Sequence, residues 1–358
     1  MKIYLLAILL VFQSPFVSPI TDHKSTPNKT KPAVANIVFK SVDGGQTWKD
    51  ISEGLPENLE DDGAQRDGFF ANESGFYVRV ENGIYHSKSN STAPFWGKEN
   101  FPDKQGSIAA CKSGLIAYNY DGQFLQKLNG TNVWKPVYTN FQEKAIRTVF
   151  ETTGGTVFIG CNNGLFRSTN SGKTWKQVQA GGWTMKLVEF NGVLLATSQR
   201  GIIRSTDAGE NWELVISEGG VGIDVASIEG GFAAITFNTQ SNTRRIRTSY
   251  DGGKTWQPID AGFAEENLIV PVVKPFFQIN QTDSTWNPNN NNSLPKQAFI
   301  TSIVQVGEKF YCGHPDGIFK TADKGKTWKL ILPSIEDKVF NLFVWGNVIY
   351  AIPRNKGC

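Results

Sequence analysis

The chain has 358 residues, a net charge of +3, 39% hydrophobic and 12% aromatic residues, and 36 glycines. So much apolar material punctuated by glycine excludes a disordered chain and argues against a helical one. No stretch concentrates Lys and Arg, so the basic patch that a nucleic-acid partner needs is missing from the sequence.

In chain order, the first feature is Lys2 followed by an apolar run from Ile3 to Phe12, then a polar stretch through Ser14, Pro15, Ser18 and Pro19. About ten apolar residues are too few to cross a bilayer and suit a signal peptide. Residues 1–20 are therefore expected to direct export to a secreted or periplasmic location. Residues 21–33, rich in Lys, Thr, Asn and Pro, read as a linker. No later segment is apolar enough to be transmembrane.

Next comes a repeated phrase. Ser41 to Trp48 reads Ser-Val-Asp-Gly-Gly-Gln-Thr-Trp, and it recurs at Ser168 to Trp175, Ser205 to Trp212, Ser249 to Trp256 and Thr321 to Trp328. The shared pattern is [ST]-x-[DN]-x-G-x-[TN]-W. Two eroded copies fill the first gap, one leading from Ser87 to Trp96 and one from Leu128 to Trp134. Trp48, Trp96, Trp134, Trp175, Trp212, Trp256 and Trp328 are then separated by 48, 38, 41, 37, 44 and 72 residues. With one insertion, over 261–297, that is the period of a four-stranded propeller blade.

Each repeat predicts four strands. In one unit they are Ile146 to Glu151, Thr156 to Cys161, Leu165 to Thr169 and Thr174 to Val178. In the next they are Met185 to Phe190, Val193 to Ser198, Ile202 to Thr206 and Asn211 to Ile216. After the linker the chain begins with a third and a fourth strand (Ile37 to Ser41, Thr47 to Ile51). It ends with a first and a second (Val339 to Trp345, Val348 to Ile352). Pairing these ends would complete one blade, close the ring and protect its edges. The expected fold is all-β: a seven-bladed β-propeller of four-stranded antiparallel blades occupying 34–358 as a single domain.

On these repeats the chain resembles the Asp-box (BNR) repeat superfamily over nearly all of its mature length. Asp43, Asn170, Asp207, Asp251 and Asp323 fall in the turn between third and outer strands, where a short side chain accepts backbone N–H groups. Trp48, Trp175, Trp212, Trp256 and Trp328 offer large rings to pack between blades. One carboxylate per turn is too few oxygen ligands for calcium, so neither a metal nor a cofactor is expected. Arg167, Arg204, Lys40 and Lys320 stand one residue before their boxes and Arg247 two residues before its own, and this repetition marks them as scaffold. Cys111, Cys161, Cys312 and Cys358 show no metal-ligand spacing; Cys358 could reach Cys312 if the terminal blades adjoin.

A site is expected on the opposite face, where inner strands start. There Arg147, Lys186, Asp224, Ser302 and Asn341 interrupt apolar contexts and would line the mouth of a central channel. Around the rim stand Trp183, His314 and, in the insertion, Trp286 with Phe263, Phe276, Phe277 and the run Asn289 to Asn292. An acidic link from Glu53 to Asp67, with Glu57, Glu60, Asp61 and Asp62, would add a loop on that face.

Asp-box propellers include sialidases, but no Arg-Ile-Pro segment occurs before the first box and no arginine triad is evident. Xyloglucanase-type enzymes of this superfamily join two propellers around two carboxylates, whereas this chain has one ring. Sortilin-type receptors build a larger ring followed by Cys-rich modules absent here. Size, export signal and repeat number are more similar to the photosystem II stability/assembly factor type, a non-catalytic binder. The expected function is thus an exported, monomeric, scaffold-like propeller binding a protein, peptide or glycan on its channel face. The alternative is a glycoside hydrolase, sialidase-like or another exo-glycosidase, at the same mouth.

Overall fold

The protein was analysed as a computed structural model, which describes residues 36–56, 68–72, 75–80, 83–88, 91–100, 107–218, 220–263, 268–269 and 300–354. Strands β1 (Phe39–Ser41) and β2 (Lys49–Asp50) open the chain. The first blade follows as β3 (Phe69–Asn72), β4 (Gly75–Val80), β5 (Gly83–Ser87) and β6 (Gly97–Lys98). The second is β7 (Ser107–Cys111), β8 (Gly114–Tyr118), β9 (Phe124–Leu128) and β10 (Trp134–Val137). The third is β11 (Ile146–Glu151), β12 (Val157–Cys161), β13 (Gly164–Ser168) and β14 (Lys176–Ala180). The fourth is β15 (Leu187–Phe190), β16 (Val193–Ser198), β17 (Gly201–Ser205) and β18 (Glu213–Ile216).

The fifth blade is β19 (Gly220–Ile228), β20 (Gly231–Asn238), β21 (Thr243–Ser249) and β22 (Gln257–Pro258). The sixth contains β23 (Leu268–Ile269), β24 (Ile303–Val306), β25 (Lys309–His314), β26 (Gly317–Thr321) and β27 (Trp328–Pro333). Strands β28 (Val339–Trp345) and β29 (Val348–Arg354) end the chain. Six sheets are antiparallel and four-stranded, and in the sixth blade β23 adds a parallel fifth strand outside β27. The seventh sheet has the order β2-β1-β29-β28, with Phe39 opposite Ala351 and Ser41 opposite Ile349. The ring of seven is therefore closed by pairing between the two chain ends, as the split repeat predicts.

The turn after each third strand is built by the repeated phrase. Its first hydroxyl, at Ser41, Ser168, Ser205, Ser249 or Thr321, accepts the N–H of the glycine four residues on, at 2.8–2.9 Å. The Asp or Asn oxygen then accepts the N–H four residues beyond itself, at 2.9–3.0 Å in all five copies. These bonds also correct two predicted boundaries. Thr174 and Asn211 spend their N–H groups on the turn, so the outer strands begin later, at Lys176 and Glu213.

Hydrogen bonding sets the carboxylates' acidity as well. Burial pushes the Asp43 and Asp323 carboxyls up, but bonds from Thr47 and Ser41, and from Thr327 and Thr321, outweigh it and bring both down to about 2.

Each tryptophan ring meets the preceding blade. Trp212 stands edge-on to Phe158, Trp256 joins the cluster of Leu195 and Ile202, and Trp96 packs with Ile51 and Tyr350. Trp328, fully buried, stacks on Phe263 at 4.8 Å. Such aromatic pairs add ~0.5–1.5 kcal/mol beyond the area they bury. Apolar clusters recur between neighbouring sheets around the ring, so the core is distributed rather than central.

The insertion starts as a 3-10 turn, Ala261–Phe263, with Phe263 buried. Phe276, Phe277, Trp286 and Asn289 to Asn292 lie outside the described residues, as do 1–33, Glu57, Glu60, Asp61, Asp62 and Cys358. Cys111, Cys161 and Cys312 are free thiols. Among the described residues no helix is long and apolar enough to cross a membrane.

Candidate functional site

Antiparallel order places the starts of the inner strands and the repeated turns on opposite faces of the ring. On the axis lies a cavity of about 310 Å³ to which the inner segment of every blade contributes. Its wall is divided. One arc is polar, with Thr148, Lys186, Asp224, Ser302 and Asn341 from the third to seventh blades. The other is apolar: Phe69 and Phe70 from the first blade, Ile108 and Ala109 from the second, and Phe343 beside them. Phe69 and Phe343 meet edge-to-face at 5.5 Å, which joins the seventh blade to the apolar arc.

The polar arc is stitched from blade to blade. Lys186 Nζ donates to Asp224 Oδ1 at 2.7 Å, and the Ile303 N–H approaches Asp224 Oδ2 at 3.4 Å. The Asp224 side chain is 6% exposed, whereas that of Lys186 is 44% exposed. Ser302 Oγ accepts the Leu342 N–H at 2.9 Å, and Thr301 Oγ1 donates to the Phe340 carbonyl at 2.7 Å. Asn341 is different. It is 4% exposed and faces the cavity, and its carboxamide has no hydrogen-bond partner among the described residues. A buried amide needs partners for two donors and an acceptor, so this one is available to a ligand.

Four of the five expected inner-strand residues thus come together. Arg147 does not: a bulge between Ile146 and Thr148 turns its side chain away, and its Nε donates to Asn162 Oδ1 at 2.5 Å. Thr148 takes the place in the ring. Trp183 is half-buried in the link before β15 and does not line the cavity. His314 is 2% exposed, stacked parallel to Phe263 at 5.3 Å, with Nδ1 accepting the Asp316 N–H at 3.2 Å. It belongs to the packing of the sixth blade. Trp286 lies outside the described residues.

Sequence reasoning missed the apolar arc. Its signal was the pair Phe69-Phe70 at an inner-strand start, where the other blades carry polar residues. It also missed Glu151, which reaches the cavity from three residues further along β11. Its Oε2 accepts the Lys112 N–H at 2.8 Å.

Fold and site together define a single seven-bladed propeller with an amphipathic axial channel. No family model matches the chain, and no curated protein matches it. Solved structures do, at identities that carry the fold alone. The GH74 xyloglucanase from Xanthomonas campestris superposes with a TM-score of 0.62 at 13% identity, over 87% of this chain and 54% of that one. An extracellular domain from B. thetaiotaomicron gives 0.54 at 11% identity, over 78% of this chain and 35% of that one. YCF48 bound to D1 peptide gives 0.52 at 11% identity, over 85% of this chain and 97% of that one. The chain thus spans about half or less of the first two and nearly all of the third.

Proposed function

We propose that the chain is an exported, non-catalytic propeller of the Asp-box (BNR) type that holds an extended peptide or glycan segment at its channel mouth, as a scaffold or assembly factor does. The observation that carries this reading is the pairing of Asp224. Its carboxylate is the one on the polar arc, and it is buried against Lys186 at 2.7 Å. Both of its oxygens are occupied within the wall, Oδ1 by the Lys186 ammonium and Oδ2 facing the Ile303 N–H. Glycoside hydrolysis needs two carboxyl groups flanking one bond, about 5–9.5 Å apart. The cavity's other carboxylate, Glu151, sits three residues deeper, roughly 10 Å along a strand that rises ~3.3 Å per residue, and is engaged by a backbone N–H.

A binder uses the same wall differently. The exposed end of Lys186 and the carboxamide of Asn341 offer a cation, donors and an acceptor to a polar backbone. Phe69, Phe70 and Phe343 offer an apolar surface to whatever that backbone carries. Coverage of almost the whole of YCF48, a propeller whose structure holds a peptide, supports the reading. The xyloglucanase likeness supports the enzyme alternative, though that protein is about twice as long as the matched part. Export rests on Lys2 and the run from Ile3 to Phe12.

A panel of fluorogenic glycosides, sialosides included, tests the proposal on the purified folded chain. No turnover on any substrate is the expected result. Turnover abolished by Asp224→Asn would make the protein a glycosidase.

A further inference from the structure

Near the turn face, four blades carry a cation on the third strand one residue before the box. The third and fourth blades show what balances it. Arg167 Nε donates to the Ala208 carbonyl at 2.8 Å, inside the next blade's turn. Lys176 stands opposite Arg167 on the outer strand, and Glu210 of that next turn pairs with both, one on each oxygen, at 2.5 and 2.7 Å. In the fourth blade the residue opposite Arg204 is itself an acid, Glu213, paired with it at 2.5 Å. Each of these cations meets a glutamate.

The seam between the sixth and seventh blades repeats the frame of the third and fourth without the acid. Lys320 stands where Arg167 does, and Lys329 is opposite it, where Lys176 is. Tyr311, opposite Lys320 on the second strand, donates its hydroxyl to the Gly44 carbonyl at 2.9 Å, the turn position that Arg167 reaches at Ala208. The place of Glu210 in this turn is taken by Gln46, which is exposed. Lys309, two residues before Tyr311 and on the same face of its strand, adds a third ammonium diagonal to Lys320.

Like charges directly opposite each other destabilise a sheet. Burial lowers the Lys320 pKa, and Lys309 and Lys329 lower it further; Asp43 acts in the other direction and is outweighed. The Asp43 oxygens accept from Ser41, Gln46 and Thr47 at 2.5–3.0 Å, so they serve the turn rather than the lysines. Among the described residues none of the three lysines forms an ion pair. Lys309 and Lys329 are exposed and Lys320 is half-buried.

We propose that this seam docks an extended acidic segment of a partner protein, one carboxylate taking between Lys320 and Lys329 the place that Glu210 fills between Arg167 and Lys176, and a second meeting Lys309. The chain's own Glu210 shows that a carboxylate on a short methylene arm bridges two cations in this frame. The spacing suits a peptide: diagonal neighbours in a sheet lie ~7–8 Å apart, and alternate side chains of an extended chain ~7 Å apart. The site lies on the turn face, opposite the channel mouth, and does not depend on the channel's role.

Fluorescence polarisation of the full chain with a labelled hexapeptide of alternating Glu and Ala, its Gln counterpart and a sulfated tetrasaccharide tests this. The glutamate peptide is expected to bind, more weakly as salt rises, and the Gln peptide is not. Affinity should fall at least tenfold in Lys309→Ala/Lys329→Ala, two exposed positions, and stay the same in Asn341→Ala. Gln46→Glu supplies from within the chain the carboxylate that the seam lacks; it should raise the melting temperature and also cut affinity at least tenfold. No binding of the glutamate peptide, equal binding by either lysine or Gln46 variant, a lowered melting temperature in Gln46→Glu, or tighter binding of the tetrasaccharide would overturn the proposal.

Discussion

The third to sixth blades and the first two share one architecture but hold their outer hairpins differently. In the third, fourth, fifth and sixth, a hydroxyl, a carboxylate or carboxamide and a glycine N–H close each turn with the same bonds. The first keeps only the hydroxyl, at Ser87, and the second keeps none of the three at these positions, yet both still form four strands. The repeated turn is therefore scaffold, dispensable to blade formation where packing suffices. The candidate site involves a departure from the repeat, since the apolar arc of the channel comes chiefly from the eroded blades.

Glycine substitutions should show that contrast most strongly. In the fourth blade Gly209 has φ +82°, and an added Cβ would lie 2.2 Å from Phe158 Cζ. Gly209→Ala combines left-handed strain with overpacking and should cost about 3 kcal/mol or more. In the second blade Gly130 has φ +76° and nothing within 4 Å of a Cβ. Gly130→Ala should cost only ~1 kcal/mol of backbone strain. Equal losses in denaturant titrations would erase the difference between the two kinds of turn.

Next come the turn hydroxyls. Ser205 accepts the Gly209 N–H at 2.9 Å and donates to Asp207 at 2.8 Å, so Ser205→Ala strands a buried donor and should cost about 1–2 kcal/mol. In the first blade the N–H four residues beyond the counterpart Ser87, that of Ser91, goes to the Lys88 carbonyl at 3.0 Å instead, so Ser87→Ala should change stability by less than ~0.5 kcal/mol. A large loss at Ser87 would mean that the eroded turn is built like the others.

The smallest effect is with pH. Asp43 and Asp323 titrate at about 2 in the fold against an unfolded value of about 3.9. A depressed folded pKa contributes stability that is complete above the unfolded value and is lost as pH falls through the folded one. Thermal melts should therefore shift downwards between about pH 4 and pH 2. Replacing both residues by Asn, which the third blade uses at Asn170, should flatten that slope; an unchanged slope would locate the acid sensitivity elsewhere.

Most of the fold was legible because its signals are local. The box residues, the tryptophan interval and the split terminal repeat each dictate a turn, a blade or a pairing without reference to distant contacts. The site was legible only in part. Lys186, Asp224, Ser302 and Asn341 followed from strand position. Arg147 was misplaced because a single bulge shifts which side chain faces the channel, and no sequence pattern marked it. His314 was polar enough to suggest a rim, but its partners, Phe263 and Asp316, become visible only in three dimensions.

The most direct measurement is a peptide and glycan array probed with the wild-type chain, with Asn341→Ala, and with the turn variant Asn170→Ala, all checked to be folded. Because Asn341 has no partner within the described structure, its loss should spare folding and weaken capture of a channel ligand at least tenfold. The turn variant should keep that capture. A ligand held equally by Asn341→Ala, or lost with Asn170→Ala while the ring remains folded, would contradict a binding role for the channel mouth.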